Sequence, residues 1–379
     1  MSNETAVQTT PTTSPGRFGR LYQGLTTVDF VGRKKIWFTA SLAVIVLGLG
    51  SLGIRGFNLG IDFKGGSSWE VLAPHSSISA MTSAVTRAGL TNPIVEKLGS
   101  ETYQVTADLN NDSPTVQTNI TNAVVGAMAT QAGVAANQVS TSSVGPTWGG
   151  QVTNRALEAL IIFFLAVLLY ISIRFEPKMA VAAFIAMIHD LLVTIGVYSL
   201  FGFQITPDTV IALLTILGYS LYDTVVVFDR VRDNSTSTSA ILKSGTMTYG
   251  EMVNLSMNQT LARSINTSLV AILPVLSVLV VGAYILGATT LQNYGLALFV
   301  GLMSGAYSSI FIASPLLAWM KEREPRYQEL AARVSRSEHT TLTPRAAARL
   351  ATDGTVRSGA GLRRPMPSVA PRARKQKRR

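Results

Sequence analysis

The sequence predicts an all-α membrane bundle of six transmembrane helices, with a small α+β domain between the first two helices. Three observations support this prediction. Only 14% of the 379 residues are charged and 47% are hydrophobic, whereas about 25% of the residues in a soluble domain are charged. Six apolar stretches approach or exceed the roughly 20 residues that cross a bilayer. The loop after the first stretch, about 100 residues long, has its own pattern of strands and helices.

The six predicted spans differ in their content of ionisable residues. The second contains Glu158, the third contains His189 and Asp190, and the fourth contains Asp223, whereas the others have no Asp, Glu, Lys or Arg. The spans are Ile36–Ile54, Ala156–Ile173, Met179–Leu200, Thr209–Phe228, Thr267–Leu286 and Gly295–Trp319.

The distribution of Lys and Arg predicts that both termini are cytoplasmic, because positively charged loops stay on that side of the membrane. The loops on the opposite side, Phe201–Asp208 and Gly287–Tyr294, contain no Lys or Arg. The basic residues on the predicted cytoplasmic side include Arg33, Lys34, Lys35, Arg174, Lys178, Arg230, Arg232, Lys243 and Arg263.

The two ends of the chain are polar and basic. Residues 1–35 form a cytoplasmic leader, and their basic run just before the first span indicates an uncleaved signal-anchor. Residues 321–379 contain 16 Lys or Arg against 5 Asp or Glu, which predicts a disordered cytoplasmic tail attracted to anionic lipids. The tail lacks interleaved aromatic residues, so specific nucleic-acid recognition is not expected.

Residues 55–150 are predicted to form an extracytoplasmic domain, and residues 151–320 the other five helices. Alternating or short apolar runs predict strands, and helical spacing predicts two helices between them. The order strand–helix–strand–strand–helix–strand is that of a ferredoxin-like domain. The strands are Ser67–Leu72, Ile94–Leu98, Thr102–Leu109 and Val139–Val144, and the helices are Ile78–Ala88 and Pro114–Gln131.

The residue inventory excludes several kinds of chemistry. The chain has no cysteine, so it has no disulfide and no thiol nucleophile. Its three histidines, His75, His189 and His339, lie far apart in the sequence. We therefore expect no metal site and no cofactor.

Asp223 is the leading candidate functional residue, because an ionisable side chain at membrane depth is costly. Gly218, Ser220 and Thr224 are expected to allow close helix approach and to offer hydroxyl groups to the carboxylate. Alternation between a desolvated and a cation-paired state would load and release a proton. A static hydrogen bond between helices, or a salt bridge to a partner subunit, is the alternative.

Three other residues are candidates for the same path. His189 and Asp190 are adjacent, so their side chains project about 100° apart on a helix and are expected not to pair tightly. A structural hydrogen bond is an equally good interpretation of Asp190. Arg263 precedes the fifth span and is a cation at a depth suited to Asp223, although on position alone an orientation-setting charge is the better interpretation.

Two patterns concern packing. Gly301 and Gly305 form a GxxxG motif that Ser304 and Ser308 extend, so the sixth helix is predicted to pack closely on a neighbour. Pro274 is predicted to bend the fifth helix.

An intramembrane aspartyl protease is one alternative, since Tyr222–Asp223 resembles one of its two motifs. The second aspartate would have to be Asp190, which lacks the glycines of the other motif. Two carboxylates that share a proton must also lie a few Å apart, and Asp190 and Asp223 are expected at different depths.

Several motifs together resemble the SecD/SecF family. GFNLGIDFKGG at Gly56–Gly66, with Gly60, Asp62, Gly65 and Gly66, resembles the signature that opens the family's external domain. Further similar segments follow in the family's order and cover most of residues 28–320. They are Val144-Gly145-Pro146, His189-Asp190, GYSLYDTVVVFDRVRDN at Gly218–Asn234 with Gly218, Asp229 and Arg230, and NLSMNQTLARSINTSL at Asn254–Leu269. The single short external domain favours the SecF branch.

This resemblance implies a multi-pass protein of the bacterial cytoplasmic membrane with no catalytic activity. It implies an accessory subunit of the Sec translocase that pairs with SecD, as two six-helix halves related to RND transporters. The pair would use proton flow to draw unfolded exported polypeptides outward, together with SecYEG and YajC-like subunits. Asp223 matches the family's proton-relay aspartate, and Arg263 matches the arginine of the next helix.

Two departures from the family pattern concern this relay. Tyr222 stands where many members have Asn, and the loop before Arg263 is several residues longer than in some members. An RND-type exporter of lipids or small molecules is the other alternative function, and an apolar path between the helices and the external domain would favour it.

Overall fold

The computed structural model describes residues 26, 28–99, 101–109, 112–237, 247–285 and 289–336. In chain order the helices are α1 (Lys34–Arg55), α2 (Ile61–Lys64), α3 (Ile78–Arg87), α4 (Pro114–Ala132), α5 (Pro146–Arg174), α6 (Pro177–Phe201), α7 (Pro207–Ser237), α8 (Tyr249–Ser277), α9 (Thr289–Ser308), α10 (Ser314–Lys321) and α11 (Pro325–Arg336). The strands are β1 (Gly66–Leu72), β2 (Ile94–Leu98), β3 (Thr102–Ala107) and β4 (Ser140–Val144).

Six helical segments of the described chain are long and apolar enough to cross a membrane, which confirms the predicted number. They are α1, α5, α6, α7, α8 with its extension, and α9 with α10. Helix α8 continues past Pro274 to Ser277, and a π-helical segment, Val278–Ile285, extends it further. A second π turn, Ser309–Ala313, joins α9 to α10.

Several helices extend beyond the apolar spans predicted within them. Helix α7 continues to Ser237 rather than ending at Phe228, and α8 begins at Tyr249, 18 residues before the predicted Thr267. The hydropathy pattern marks only the apolar part of a helix, whereas polar contacts sustain the rest. A capping box of Thr248 and Glu251 starts α8, and Asn234 Nδ2 donates to Ser256 Oγ at 2.8 Å.

The interior of the bundle is formed by α6, α7 and the last span, which are the most buried of the six. Helices α1 and α5 lie at the outside, and most of their apolar side chains are exposed. Phe228, Met252, Ala313 and Leu317 are among the residues with no exposed surface in the core.

Between α1 and α5 the chain forms a four-stranded antiparallel sheet in the order β2-β3-β1-β4. Helices α3 and α4 cover one face of this sheet, where Trp69, Val105, Met81 and Val124 are fully buried. The strand–helix order is the one that the alternation in the sequence predicts, although β3 ends at Ala107 and β4 begins at Ser140, slightly inside the predicted bounds.

The sheet domain is tied to the membrane helices by the segment between α1 and α2. Leu59 and Ile205 form a parallel β-bridge, in which Gly60 N donates to Ile205 O at 2.8 Å and Ile205 N donates to Asn58 O at 2.7 Å. Asn58 Nδ2 also donates to Gly202 O and to Glu96 Oε1, each at 2.8 Å. Asn58 therefore links strand β2 to the loop between α6 and α7.

The arm that precedes α1 is held by two asparagines of α8. Phe30 N donates to Asn254 Oδ1 at 2.8 Å, Val28 N donates to Asn258 Oδ1 at 2.9 Å, and Asn258 Nδ2 donates back to Val28 O at 2.9 Å. The side-chain amides thus take the place of a neighbouring strand for this arm.

The prediction of a wholly disordered tail is wrong for Pro325–Arg336, which forms the amphipathic helix α11. Tyr327 of α11 packs on Tyr249, with ring centroids 4.6 Å apart, and Val334 is buried. This apolar stripe gives the segment a surface to fold against, which composition alone does not show. Residues 337–379 and the leader before residue 26 lie outside the described residues.

Candidate functional site

Asp190 lies in the interior of the bundle with no exposed surface. Three serine hydroxyls from two other helices donate to its carboxylate: Ser220 Oγ of α7 at 2.5 Å and Ser308 Oγ at 2.7 Å to Oδ2, and Ser304 Oγ at 2.8 Å to Oδ1. These hydroxyls compensate for the water that a buried carboxylate loses.

Asp223 is 2% exposed and is held in the same way. Ser264 Oγ of α8 donates to Oδ1 at 2.8 Å, and Ser309 Oγ donates to Oδ2. Because α8 and the π turn after α9 supply these donors, Asp223 joins the fourth, fifth and sixth spans at one point.

The two carboxylates belong to one cluster of polar side chains. Ser308 and Ser309 are consecutive residues that donate to Asp190 and to Asp223, respectively. Ser220, which donates to Asp190, stands one helical turn before Asp223 on α7. Consecutive residues of the last span and residues one turn apart on α7 therefore belong to the surroundings of both acids.

Close helix packing places these hydroxyl groups. A Cβ atom on Gly305 would lie 3.0 Å from Ser220 Cβ, and one on Gly301 would lie 2.2 Å from Ile216 Cδ1. The prediction that the GxxxG pair brings the sixth span close to a neighbour is confirmed, and that neighbour is α7. Gly218, by contrast, faces open space, so the expectation of close approach at this glycine is wrong.

His189 contacts Asp190 directly, with Nδ1 and Oδ1 3.1 Å apart. The expectation that these adjacent side chains cannot pair tightly is wrong, because side-chain rotation closes the gap between neighbouring Cβ positions. Within the described chain His189 Nε2 is buried without a hydrogen-bond partner, and the ring stacks on Tyr307 with centroids 6.1 Å apart.

The side chain of Arg263 does not contact Asp223. Its side chain is exposed, and its Nη2 is 3.4 Å from the hydroxyl of Tyr222, which is 50% exposed. The ion pair expected between Arg263 and Asp223 is therefore not formed in this conformation. Arg263 and Tyr222 instead form a polar pair on the outer surface of the bundle, one residue away from each member of the buried Asp223–Ser264 contact.

The remaining motif residues of α7 lie at its polar end. Asp229 pairs with Arg174 of α5 at 3.3 Å and is 4.0 Å from Arg232, and Arg230 Nε donates to Gln259 Oε1 of α8 at 2.7 Å. They connect α7 to α5 and α8 and do not reach the buried carboxylates.

The glycine-rich motif shapes the junction between α1 and the sheet. Gly60 caps α2, while Gly65 and Gly66 have φ of 77° and 127°, values that favour glycine. A Cβ on Gly66 would also lie 2.8 Å from Ala107 O. Burial raises the pKa of Asp62, and the neighbouring charge of Asp208 adds to this rise.

Sequence reasoning missed Ser264 and Ser309, and it assigned Ser304 and Ser308 to packing only. The sequence does carry a signal for these donors, because a serine that recurs on one face of an apolar helix supplies a hydroxyl to that face. No group of three or more His, Cys, Asp or Glu among the described residues is placed to hold a metal ion.

Comparisons with known proteins agree with this architecture. Residues 124–323 match the family described as protein export membrane protein SecD/SecF, C-terminal, and residues 50–71 match the SecD/SecF GG motif. Protein translocase subunit SecF of Streptomyces coelicolor is 43% identical over 318 residues, which is 83% of this chain and 82% of the relative.

A longer relative and its structure extend the similarity. Protein translocase subunit SecDF of Thermus thermophilus is 32% identical over 301 residues, which is 78% of this chain but 39% of SecDF. The crystal structure of SecDF from that organism aligns with a TM-score of 0.68 and 30% identity, over 79% of this chain and 39% of the other. Taken with the two family matches, this similarity shows that the chain belongs to the SecD/SecF family of protein export membrane proteins.

Proposed function

We propose that this chain is the SecF-type accessory subunit of a Sec protein translocase, and that it helps to drive export of unfolded polypeptides by using the proton gradient. It is not a catalyst itself. The observation that carries the proton-coupling part is the buried carboxylate pair, Asp190 and Asp223, held by serine hydroxyls from three spans.

Serine hydroxyls suit a carboxylate that changes its protonation state. A hydroxyl group donates to the ionised form and can accept from the protonated form, so neither state leaves a buried group without a partner. Ser308 and Ser309 are consecutive donors to the two acids and would offer a route for a proton from one acid to the other. One charge that crosses the membrane yields about 2.3 kcal/mol per 100 mV, which is enough to bias a movement of the sheet domain.

The partner is proposed to be SecD. The chain covers 39% of the SecDF relative, so the remaining part of that relative would correspond to a separate SecD subunit here. Alternating access needs a second half, and the exposed pair of Arg263 and Tyr222 offers polar contact to one. SecYEG and YajC-like subunits would complete the translocase, and the basic tail would meet anionic lipids.

The charge distribution supports one orientation in the membrane. Both termini are proposed to lie in the cytoplasm of a bacterial cell, with the sheet domain outside. The Asp229–Arg174 pair and α11 would then lie on the cytoplasmic side, and the link from Asn58 to the loop Gly202–Thr206 on the outer side.

Inverted membrane vesicles that contain this chain and SecD test the proposal. Proton flux and late-stage release of a secretory precursor are recorded for the wild type, Asp223→Asn and Asp190→Asn. We expect both quantities to fall in both variants while assembly with SecD is unchanged. Asp229→Asn, which changes a surface carboxylate on α7, serves as the control. Unchanged proton flux in both buried-site variants would show that Asp190 and Asp223 serve helix packing only.

One observation favours the second candidate, an RND-type exporter of lipids or small molecules. An apolar groove of about 780 Å³ opens between α5 and α7 beside the sheet domain, with Phe63, Trp148, Val210, Ile211 and Leu214 among its lining residues. Loss of lipid or drug efflux with intact protein export in a Val210→Trp variant would support this function. The protease alternative lacks such support, because the described side-chain partners of Asp190 and Asp223 are serines and His189, and no described hydrogen bond joins the two carboxylates.

A further inference from the structure

A polar cavity lies between the sheet domain and the ends of the membrane helices. This cavity has a volume of about 220 Å³. The sheet provides Ser68, Glu70, Gln104, Thr106 and Ser142, and the membrane side provides Ile61, Asp62, Gln204, Thr206, Asp208 and Asn293. The cavity is separate from the cluster around Asp190 and Asp223, and it is not part of the proposed proton path.

Strand alternation creates the polar roof of the cavity. Ser68 is opposite Thr106 and Ser142 in the antiparallel pairing, and Glu70 is opposite Gln104. Since alternate residues of a strand point to opposite faces, these five side chains share one face of the sheet. The apolar residues between them face α3 and α4 instead.

Two buried oxygen atoms at this roof lack a hydrogen-bond partner within the described chain. They are Ser68 Oγ and Gln104 Oε1, and Ser68 as a whole is only 6% exposed. Gln104 uses its amide nitrogen to donate to Glu70 Oε1 at 2.8 Å, which leaves its oxygen as an acceptor. Buried polar atoms in proteins are nearly always paired, if not with protein then with ordered water or an ion. The cavity is also roomy enough for several water molecules.

The charge of the lining has one sign. Asp62, Glu70 and Asp208 contribute carboxylates, and none of the described lining residues is Lys, Arg or His. A recess lined by charges of one sign concentrates the field and raises the local concentration of counter-ions about 10-fold or more. The oxygen atoms of the lining are hard ligands, which prefer small hard cations.

We propose that this cavity is a water-filled vestibule that attracts small hydrated cations, hydronium or alkali-metal ions, to the outer ends of α7 and α9. The location of the vestibule on the outer side of the membrane rests on the proposed function. The vestibule adds to that function the point at which a cation enters from outside. The carboxylates of Asp62 and Asp208 and the unpaired oxygens of Ser68 and Gln104 form its walls.

An apolar layer separates the vestibule from Asp190. Along one face of α7, Thr209 is followed by Ala212 and Ile216 before Ser220, and Ala212 and Ile216 pack with Leu298 of α9. Thr209 and Ser220 are about 16 Å apart along the helix axis at 1.5 Å per residue. On this face of α7, the contact of Ile216 with Leu298 therefore lies between the vestibule and Ser220.

Cysteine labelling tests the vestibule directly, because the natural chain has no cysteine. Ser68→Cys is placed in the full chain, with SecD, and spheroplasts are treated with a cationic trimethylammonium or an anionic sulfonate methanethiosulfonate of similar size. Thr91→Cys, an exposed position of the sheet domain, gives the reference ratio of the two rates. Val105→Cys, fully buried on the other face, shows the background.

We expect Ser68→Cys to react from outside, with a cationic-to-anionic ratio about tenfold above that of Thr91→Cys. Adding Asp62→Asn and Asp208→Asn should bring the ratio back toward the reference. Slower labelling in sodium chloride than in choline chloride of equal ionic strength would assign an alkali-metal ion, and equal rates would assign hydronium alone.

Three results would overturn the vestibule. They are no reaction at Ser68→Cys, equal ratios at Ser68→Cys and Thr91→Cys, or reaction only in inverted vesicles. Thr106→Cys, which is half-buried on the same roof, repeats the test if Ser68→Cys does not fold. Labelling does not depend on export, so the vestibule stands or falls separately from the flux experiments on Asp190 and Asp223.

Discussion

Ser308 and Ser309 are neighbours in the chain, yet their hydroxyls donate to two different buried carboxylates, Asp190 and Asp223. In a regular α-helix, consecutive side chains point about 100° apart. The π-helical turn that begins at Ser309 widens the helix at this point, and such turns are frequent at functional sites. The π turn of the sixth span thus allows one short segment to donate hydrogen bonds to both acids.

Ser309→Ala is predicted to lower export-coupled proton flux several-fold, because Asp223 loses one of its two serine donors. Ser309→Thr keeps a hydroxyl group and should retain most of the flux. The measurement is proton flux in inverted vesicles with SecD present. A lost hydrogen bond to a buried charged group also costs about 1.5–3 kcal/mol of stability, so the Ser309→Ala protein must be checked for assembly. Equal flux in the alanine and threonine variants would argue against a role for the hydroxyl.

Gly301→Ala and Gly218→Ala are predicted to have opposite effects on stability. The methyl group at Gly301 would lie 2.2 Å from Ile216 Cδ1, and overpacking of this kind costs about 1–3 kcal/mol. The methyl group at Gly218 meets open space, where alanine is favoured over glycine in a helix by about 0.5–1 kcal/mol. Thermal unfolding midpoints of the two purified variants in the same detergent give the comparison. Similar shifts of both midpoints would contradict the close approach of α7 and the sixth span.

Glu96→Gln is predicted to stabilise the sheet domain at neutral pH. Burial raises the pKa of Glu96 above its ordinary value of 4.5, although the hydrogen bond from Asn58 opposes this rise. The folded state therefore holds the proton more tightly than the unfolded state does. The resulting stabilisation is fully present below pH 4.5 and is lost as the pH rises through the raised pKa.

The Glu96→Gln variant cannot ionise at this position, and it keeps an oxygen atom that accepts the hydrogen bond from Asn58. Its stability should therefore depend less on pH between 4.5 and the raised pKa of Glu96. Hydrogen exchange of β1, β2 and β3 between pH 4 and pH 8 measures the effect within the whole chain. Glu96→Ala, which removes the acceptor as well, should be less stable than Glu96→Gln. A wild-type domain that gains stability with rising pH in this window would show that the sign is wrong.

Asn58→Ala is predicted to loosen the sheet domain from the membrane helices without unfolding either. The variant removes the bonds from Asn58 Nδ2 to Glu96 and to Gly202, which together are worth about 1–3 kcal/mol. Hydrogen exchange should increase in Gly202–Thr206 and β2, while the protected amides of β1 and β3 stay unchanged. Asn119→Ala, at an exposed position of α4 in the same domain, is the matched control. Unchanged exchange at Gly202–Thr206 would show that the link is not needed.

Much of the architecture could be predicted because its signals are local. Hydropathy marks the six spans, and alternation at Ser68, Trp69 and Glu70 marks a strand with one apolar face. The polar face of that strand is covered by the membrane helices at Asp208 and Asn293. No local pattern shows which polar surface another domain will enclose.

The buried site was predictable only in part, for a similar reason. Asp190 and Asp223 stand out because a carboxylate in an apolar stretch is costly. Their partners, such as Ser264 and Ser309, come from helices that are distant in sequence and resemble ordinary packing residues there. The position of Arg263 was also misjudged, because depth along a helix does not determine which way a side chain faces.

The clasp of Asn254 and Asn258 on the N-terminal arm has a consequence for biogenesis. The arm emerges from the ribosome first, but its partners follow more than 220 residues later. At 5–20 residues per second, synthesis takes roughly 10–45 s to reach them. During that interval the first membrane helix is held in the bilayer by its own hydrophobicity and flanking charges and, once α6 has been made, by the close approach of Gly48 to Gly196 of α6. The two asparagines close over the arm only after the fifth span begins to be made, so the clasp is a late event in assembly.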